Sequence, residues 1–407
     1  MKILKLSPYC RPEEMASSHL SRDLDDAYLR EGFKFEIFAP TPTRGVTPEI
    51  RARYKKIKYE EQFDGSIVIH RFSMFKEGKN PILRAIRYIL VQLIQYRKGV
   101  AAKDIDLIWA PSTPPTQGLL CACVKRKLKV PFVFNLQDVF PDSLVGAGLA
   151  KKGGLLWRIG RRIEDFTYRN ADKIIVISQD IKRNIMAKGV PESKIEVIYN
   201  WVDTDSVFPV EKDENPLYEE FSLSRSVFTV VYAGNLGNAQ NLNILLDGAY
   251  MLPSVQFVVF GTGGTENEIR ERISKDNLNN VRLLPLQPPE RVPEVYSLGD
   301  VCVVSCKAGL GGSAMPSKTW SIMSCGRPVL ASFDEGELKD ILEENDCGVF
   351  THAGNVQEFV EAIKRLSADR DACDRIGQNG RRFILENLTK EVGTRKYVEV
   401  IKQFEKK

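Results

Sequence analysis

The chain alternates short, continuously apolar segments with longer amphipathic ones, and it runs through that alternation twice. In the first array KILKL (from Lys2), FKFEIFA (from Phe33), SIVIHRF (from Ser66), DLIWA (from Asp106), PFVFNL (from Pro131) and DKIIVIS (from Asp172) have the length and side-chain content of strands. Helical periodicity lies between several of them, over 15–31, 81–102, 116–128 and 154–169. A strand that is apolar throughout must be covered on both faces, and a helix returning between consecutive strands supplies that cover. The pattern therefore predicts parallel sheets with helices on both sides. It breaks at 204–226, TDSVFPVEKDENPLYEEFSLSRS, whose acidic and proline content reads as an interdomain linker. It resumes with FTVVYAG (from Phe228), VQFVVFG (from Val255), VRLLP (from Val281), DVCVVS (from Asp300), PVLAS (from Pro328) and CGVF (from Cys347). Two such arrays predict two doubly wound α/β domains, 1–203 and 204–388.

Hydrophobic residues make up 43% of the 407 and charged residues 27%, which excludes collagen-like, disordered and low-complexity chains. No apolar run approaches the ~18 residues of a membrane span. The opening MKILKLSPYC turns polar too soon for a signal peptide and reads as a buried first strand. Eight cysteines are scattered without a CxxC pair or a histidine–cysteine cluster, the usage of reduced thiols in a cytoplasmic protein. The net charge of +5 conceals a division. Residues 1–200 hold 35 Lys and Arg against 22 Asp and Glu, a net of +13, whereas 201–407 hold 23 against 31, a net of −8. The first half is suited to an anionic surface.

Ligands of doubly wound sheets bind beyond the carboxyl ends of the strands. The loop after the first strand, SPYCRPEEMASSH, holds no glycine, so the GxGxxG of a Rossmann dehydrogenase is missing there. No GxxxxGK[ST] occurs, which excludes a P-loop ATPase or kinase. The second array is richer. YAGNLGNAQNL places Gly234, Asn235 and Gly237 in a turn before a helix, a pattern that lets backbone N–H groups approach an anion, or that simply makes a tight turn. FGTGGTENE repeats the device with Gly261, Gly263 and Gly264. KAGLGGSAMPSKTWSIMSCGRPVLAS leads through glycines into Ser317, expected as a helix cap, and Lys318 in the first turn, with Gly326 as the stop. A first-turn lysine opposes the helix dipole, so a nearby anion would offset that cost; a solvated lysine is the plainer reading.

These motifs, in this order, resemble glycosyltransferase family 4, of GT-B fold: two Rossmann-like domains facing each other across a cleft. The resemblance spans SSHLSRDLDDAYLREGF, FVFNLQDVFPDS, IVISQDIKRNI, KIEVIYNWVD, YAGNLGNAQNL, VVFGTGG, LGDVCVVS and PSKTWSIMSCGRPVLAS, nearly the whole chain. It is nearest to bacterial enzymes that build capsule, O-antigen or exopolysaccharide units. The resemblance implies a retaining transfer of a sugar, as a hexosyl or N-acetylhexosaminyl group, from a nucleotide sugar, usually UDP-linked, without a required metal or other cofactor. The acceptor would be a lipid-linked saccharide. The C-terminal helix, 389–407, would pack back on the first domain. It also implies roles for individual residues. Asp138 and His19 would face the reacting sugar or acceptor, and Lys318 the departing diphosphate. Gly234, Asn235, Gly237, Gly261, Gly263, Ser317, Ser321 and Glu337 would line the donor. Asp138 equally reads as a loop or cap aspartate, His19 as a helix-surface histidine and Glu337 as a first-turn helix glutamate. His70 and His352 read as structural.

The chain departs from the family in two places. The paired glutamates common in it fall near Ser313 and at Ser321, and the usual cations after the GNLG-type loop are replaced by Asn238 and Gln240. A nucleotide-sugar epimerase of the same fold, or a homologue that binds a nucleotide sugar without catalysis, therefore stands beside the transferase reading.

Two helices of the basic half carry cations beside apolar stripes. Over 81–102, Arg84, Arg87, Arg97 and Lys98 accompany Leu83, Ile86, Leu90 and Leu93. KKGGLLWRIGRRIEDFTYR sets Lys151, Lys152, Arg158, Arg161 and Arg162 around Leu155, Leu156 and Trp157. Basic amphipathic helices with a tryptophan suit an anionic membrane surface, predicting a cytoplasmic protein held peripherally on the inner membrane. The plainer reading buries the apolar stripe and solvates the cations. No nucleic-acid-binding motif accompanies the charge, so nucleic acid is not an expected partner.

Overall fold

The computed structural model describes residues 1–13, 18–78, 80–146, 148, 150–312 and 314–405. The start of the first expected helix and Ser313 lie outside the described residues. The chain forms two compact units, Met1–Tyr199 with Thr394–Lys407, and Asn200–Gly393.

In the first unit the order is β1 (Lys2–Leu6), α1 (Ser18–Arg30), β2 (Lys34–Pro40), α2 (Pro48–Lys56), β3 (Tyr59–Gln62), β4 (Ile67–Phe72), α3 (Pro81–Gly99) and β5 (Leu107–Pro111). It continues with α4 (Gln117–Leu128), β6 (Phe132–Leu136), α5 (Asp142–Gly146), α6 (Leu155–Asn170), β7 (Lys173–Val176), α7 (Gln179–Ala187) and β8 (Ile195–Val197). The strands form one sheet, β3-β4-β2-β1-β5-β6-β7-β8. Every neighbouring pair is parallel except β3 and β4. That antiparallel strand, YEEQ, escaped the reading because polar residues at a sheet edge need no apolar pattern. The expected all-apolar strands are the central ones: β5 and β6 bury nearly every residue. Helix α4 packs between α3 and α6 on one face. The close α4–α6 approach rests on Gly118, where a Cβ would fall 2.3 Å from Thr167 Cγ2.

The second unit contains α8 (Leu217–Glu220), β9 (Thr229–Asn235), α9 (Asn243–Met251), β10 (Gln256–Thr262), α10 (Glu266–Lys275), β11 (Val281–Leu284), α11 (Val292–Ser297) and β12 (Val301–Ser305). Then follow α12 (Lys318–Ser324), β13 (Val329–Phe333), α13 (Glu337–Glu344), β14 (Gly348–His352), α14 (Val356–Ala368) and α15 (Arg370–Asn387). Its sheet, β11-β10-β9-β12-β13-β14, is parallel throughout. Chain order runs outward from β9 through β10 and β11, then returns to β12 on the other side. The switch point, where doubly wound sheets take their ligands, therefore lies between β9 and β12.

The expected linker 204–226 is instead part of the second unit. Leu217 and Tyr218 are buried, Asn215 Nδ2 donates to Glu294 O at 2.7 Å, and the Tyr218 hydroxyl donates to Leu298 O at 3.1 Å. Its acidic composition reflects an outer surface, while three inward residues hold it down. The division between units also falls a few residues before 203. Val202 N donates to Leu388 O at 3.0 Å and Trp201 is buried, with Gly393 leaving room for its ring. The final helix, α16 (Lys390–Lys402), then enters the first unit, where the Tyr397 hydroxyl donates to Asn135 Oδ1 on β6 at 3.1 Å.

Candidate functional site

The carboxyl edge of the second sheet gathers four loops. After β9, Gly234 takes φ +142°, outside the range of L side chains, and the Tyr232 hydroxyl donates to Asn235 O at 2.8 Å. The loop is laced to the one after β10: Leu236 N donates to Thr262 O and Thr265 N donates to Leu236 O, each at 3.0 Å. Here Gly261 and Gly263 have a packing reason. A Cβ on Gly261 would lie 2.2 Å from Gly234 O, and one on Gly263 would lie 2.3 Å from Leu236 O. Gly237 is crowded only by the movable side chains of Asn235 and Gln240.

The loop after β12 is tied to the β9 loop, because Ser305 Oγ donates to Gln240 O and Lys307 N donates to Ala239 O, both at 2.7 Å. It is also clipped to the loop after β13. Asp334 Oδ1 accepts Gly309 N at 3.0 Å and Oδ2 accepts Gly311 N at 2.7 Å. One carboxylate thus orders the glycine-rich segment that precedes Lys318. Sequence reading missed Asp334, which lies 23 to 25 residues beyond the amides it holds and carries no local motif.

Lys318 opens α12 with its Nζ 4.0 Å from the centroid of the Tyr232 ring. The same Nζ would lie 2.8 Å from a Cβ on Gly234, so the bare glycine makes room for the ammonium. Burial pushes this lysine's pKa down to about 8, and among the described residues no carboxylate pairs with it. The face of Tyr232 supplies attraction but no countercharge. Lys318 is half-buried, so part of its surface stays open on this edge.

Ser317 does not cap the helix as expected. Its backbone is already helical, with φ −58° and ψ −27°, and its side chain makes no capping bond. An N-cap oxygen reaches the following amides only from an extended backbone. Ser321 is half-buried one turn beyond Lys318. Glu337 is buried as the first residue of α13, on the same edge and directly after the Asp334 loop. Asn238 and Gln240 form a short 3-10 turn whose carbonyls receive the β12 loop.

The remaining candidates belong to the first unit. Asp138 stands just past β6, where surrounding protein raises its carboxyl pKa against the lowering effect of the Ser143 hydroxyl and the Val139 amide. His19 is exposed on the first turn of α1. His70 stacks on Phe38 at 4.9 Å and meets Glu36 at 3.2 Å, a structural setting. His352 pairs with Glu358 at 2.9 Å and Glu335 at 3.4 Å.

On α6, Lys151, Lys152, Arg158 and Arg162 are exposed at or before its first turns, and Trp157 is half-buried beside Asp142. Arg161 is not a free surface cation, because Glu164 and Asp165 both bind its guanidinium. On α3, Ile86, Leu90 and Leu93 are exposed, against the plainer reading that buries the apolar stripe, and Arg87 is fully buried, against its expected place among the surface cations. Among the described residues no cluster of His, Cys, Asp or Glu is arranged to hold a metal ion, and no helix is long and apolar enough to cross a membrane.

Two Rossmann-like units, one presenting Lys318 among glycine loops at its switch point, define the GT-B class of glycosyl-transferring folds. Sequence models of two families match the chain: Glycosyltransferase Family 4 over residues 21–206 and Glycosyl transferases group 1 over residues 219–383. The chain belongs to the family 4 glycosyltransferases. It is similar to "Probable glycosyltransferase WbjE" of Pseudomonas aeruginosa, 26% identical over 280 residues that cover 68% of each chain. It is also similar to the UDP-Gal:alpha-D-GlcNAc-diphosphoundecaprenol alpha-1,3-galactosyltransferase of Escherichia coli, 23% identical over 59% of this chain and 63% of that one. In fold it is similar to Anabaena HepE in complex with UDP, with a TM-score of 0.74 and 18% identity over 99% of this chain and all of that one.

Proposed function

We propose that the protein transfers a sugar, with retention of configuration, from a UDP-sugar held at the carboxyl edge of the second unit to a lipid-linked saccharide, in the synthesis of a bacterial cell-surface polysaccharide. The observation that carries this reading is Lys318, a half-buried ammonium on the face of the Tyr232 ring that no carboxylate pairs with among the described residues, set among glycine loops at a switch point. Breaking the bond between the sugar and the diphosphate leaves negative charge on the leaving group. A preorganised cation stabilises that charge more in the transition state than in the ground state. Lys318 takes that role, and the amides of the Gly234–Gly237 turn and the Asp334-ordered loop supply dipoles beside it. Glu337 and Ser321 serve the hydroxyls of the nucleotide sugar, and Asp138 and His19 those of the reacting sugar and acceptor. HepE supports UDP as the nucleotide, and the diphosphoundecaprenol enzyme supports a lipid-linked acceptor.

Such an acceptor requires the protein to work at a membrane, and the exposed cations Lys151, Lys152, Arg158 and Arg162 suit an anionic one. Measuring UDP release from a panel of UDP-sugars, with and without lipid-linked acceptor, tests the enzymology. Release that requires acceptor is expected. Turnover of a UDP-sugar without any acceptor would identify an epimerase, and UDP binding without release from any donor would identify a non-catalytic homologue. Replacing the four cations by glutamate is expected to weaken binding to anionic vesicles.

A further inference from the structure

Helix α3 is amphipathic in reverse. Its inward face carries Arg87 and Gln95, neither with exposed surface. The Gln95 amide donates to Ser7 O and Phe38 O, each at 2.8 Å, and Arg87 Nε donates to Phe75 O at 3.2 Å. Its outward face carries Ile82, Leu83, Ile86, Ile89, Leu90 and Leu93, which are 41% to 69% exposed. Single exposed aliphatic residues are ordinary, but six on one helical face form a contiguous patch that water solvates poorly. Polar anchors that could have faced solvent are buried instead, so the helix is held with its apolar ridge outward.

The charges on the helix choose among occupants. The sequence PILRAIRYILVQLIQYRKG contains no carboxylate; Arg97 is exposed on the side of the ridge and Arg84 is exposed at the helix's first turns. Two copies packed ridge to ridge would therefore bring cations together with no acid on either helix to meet them. An anionic bilayer supplies both requirements, an apolar layer for the ridge and lipid phosphates for the arginines. Leu155 and Leu156 at the start of α6 are also exposed, 77% and 52%. Helix α4 packs against both α3 and α6.

We infer that α3 lies in the plane of an anionic bilayer, with its six aliphatic side chains at the headgroup–acyl boundary, and that it, rather than the arginines of α6 alone, holds the enzyme at its membrane-borne acceptor. The inference rests on the reading that the acceptor is lipid-linked. The test compares the full chain with an Ile86→Ser, Ile89→Ser, Leu93→Ser variant on sedimenting vesicles of phosphatidylglycerol and phosphatidylcholine. All three positions are exposed, so the fold is kept, and unchanged UDP affinity verifies it. The variant is expected to bind at least about tenfold more weakly. In a second measurement, Leu90→Trp is expected to be quenched by lipids brominated on their acyl chains. Equal vesicle binding by variant and parent, or an unquenched tryptophan, would overturn the proposal. So would a lipid-free dimer that the triple substitution dissociates. Insertion without UDP release from any donor would sink the transferase reading and leave this one standing.

Discussion

Replacing Lys318 by methionine separates the cost of burying the charge from its use. The half-buried ammonium has a pKa of about 8 against an ordinary 10.5, a difference caused by desolvation. At about 1.4 kcal/mol per unit, the lost hydration destabilises the charged folded state by up to about 3 kcal/mol. Cation–π attraction from Tyr232, 4.0 Å away, returns about 1 kcal/mol. Lys318→Met keeps the length of the side chain and removes the charge, so the ligand-free protein should gain roughly 1–3 kcal/mol, a few degrees of Tm for a unit of this size. The pH dependence has a definite sign. Between about 8 and 10.5 the unfolded chain binds a proton that the folded chain has released, so the parent's stability rises with pH across that window. The variant's advantage should be constant below about pH 8 and vanish towards 10.5. UDP reverses the ranking. A charge-assisted contact is worth about 1.5–3 kcal/mol, so the variant should lose roughly ten- to a hundredfold in UDP affinity. The parent's affinity should decline as pH rises above 8, because binding requires the charged form. Calorimetry and thermal melts of both proteins, with and without UDP, across pH 6–10, give all four quantities. A variant less stable without ligand would show that the charge is not strained in the fold, and one that binds UDP as tightly as the parent would remove Lys318 from the phosphate site.

Asp334→Ala should free the Gly309 and Gly311 amides, seen as their accelerated hydrogen exchange, and weaken UDP binding roughly tenfold while the fold persists. Gly261→Ala should destabilise the second unit by more than about 2 kcal/mol, because its Cβ meets backbone 2.2 Å away, whereas Gly264→Ala, with open space around it, should melt like the parent. His352 should titrate above its ordinary range by NMR, because Glu358 and Glu335 favour its charged form, and Glu358→Gln should lower its pKa. The stabilisation it contributes is present below pH 6.5 and disappears as pH rises through the elevated folded value.

Much of the unit 2 edge was legible because its chemistry is local. Glycines 234 and 237, the PSK segment and the strand before each loop are contiguous signals, and the structure brings Gly234 and Lys318 together. What was not legible depends on partners far along the chain. Gly261 and Gly263 read like anion-binding glycines, yet they are bare because the β9 loop presses on them. Ser317 reads like a cap, but cap geometry depends on backbone torsion, which composition does not encode.

The α3 stripe shows the same division most plainly. Periodicity established that 81–102 is a helix with one apolar and one basic side, and nothing in that pattern says which side faces the sheet. Tertiary structure decided it, because two backbone carbonyls beneath the helix are satisfied by Gln95 and a third by Arg87. Sequence alone thus determined two α/β units with largely parallel sheets and the glycine loops at the carboxyl edge of the second. The direction of α3's apolar face, the clip at Asp334 and the seat of Lys318 against Tyr232 and Gly234 exist only once distant segments are packed. Hydrogen bonding and desolvation act between neighbours in space, whatever their separation along the chain.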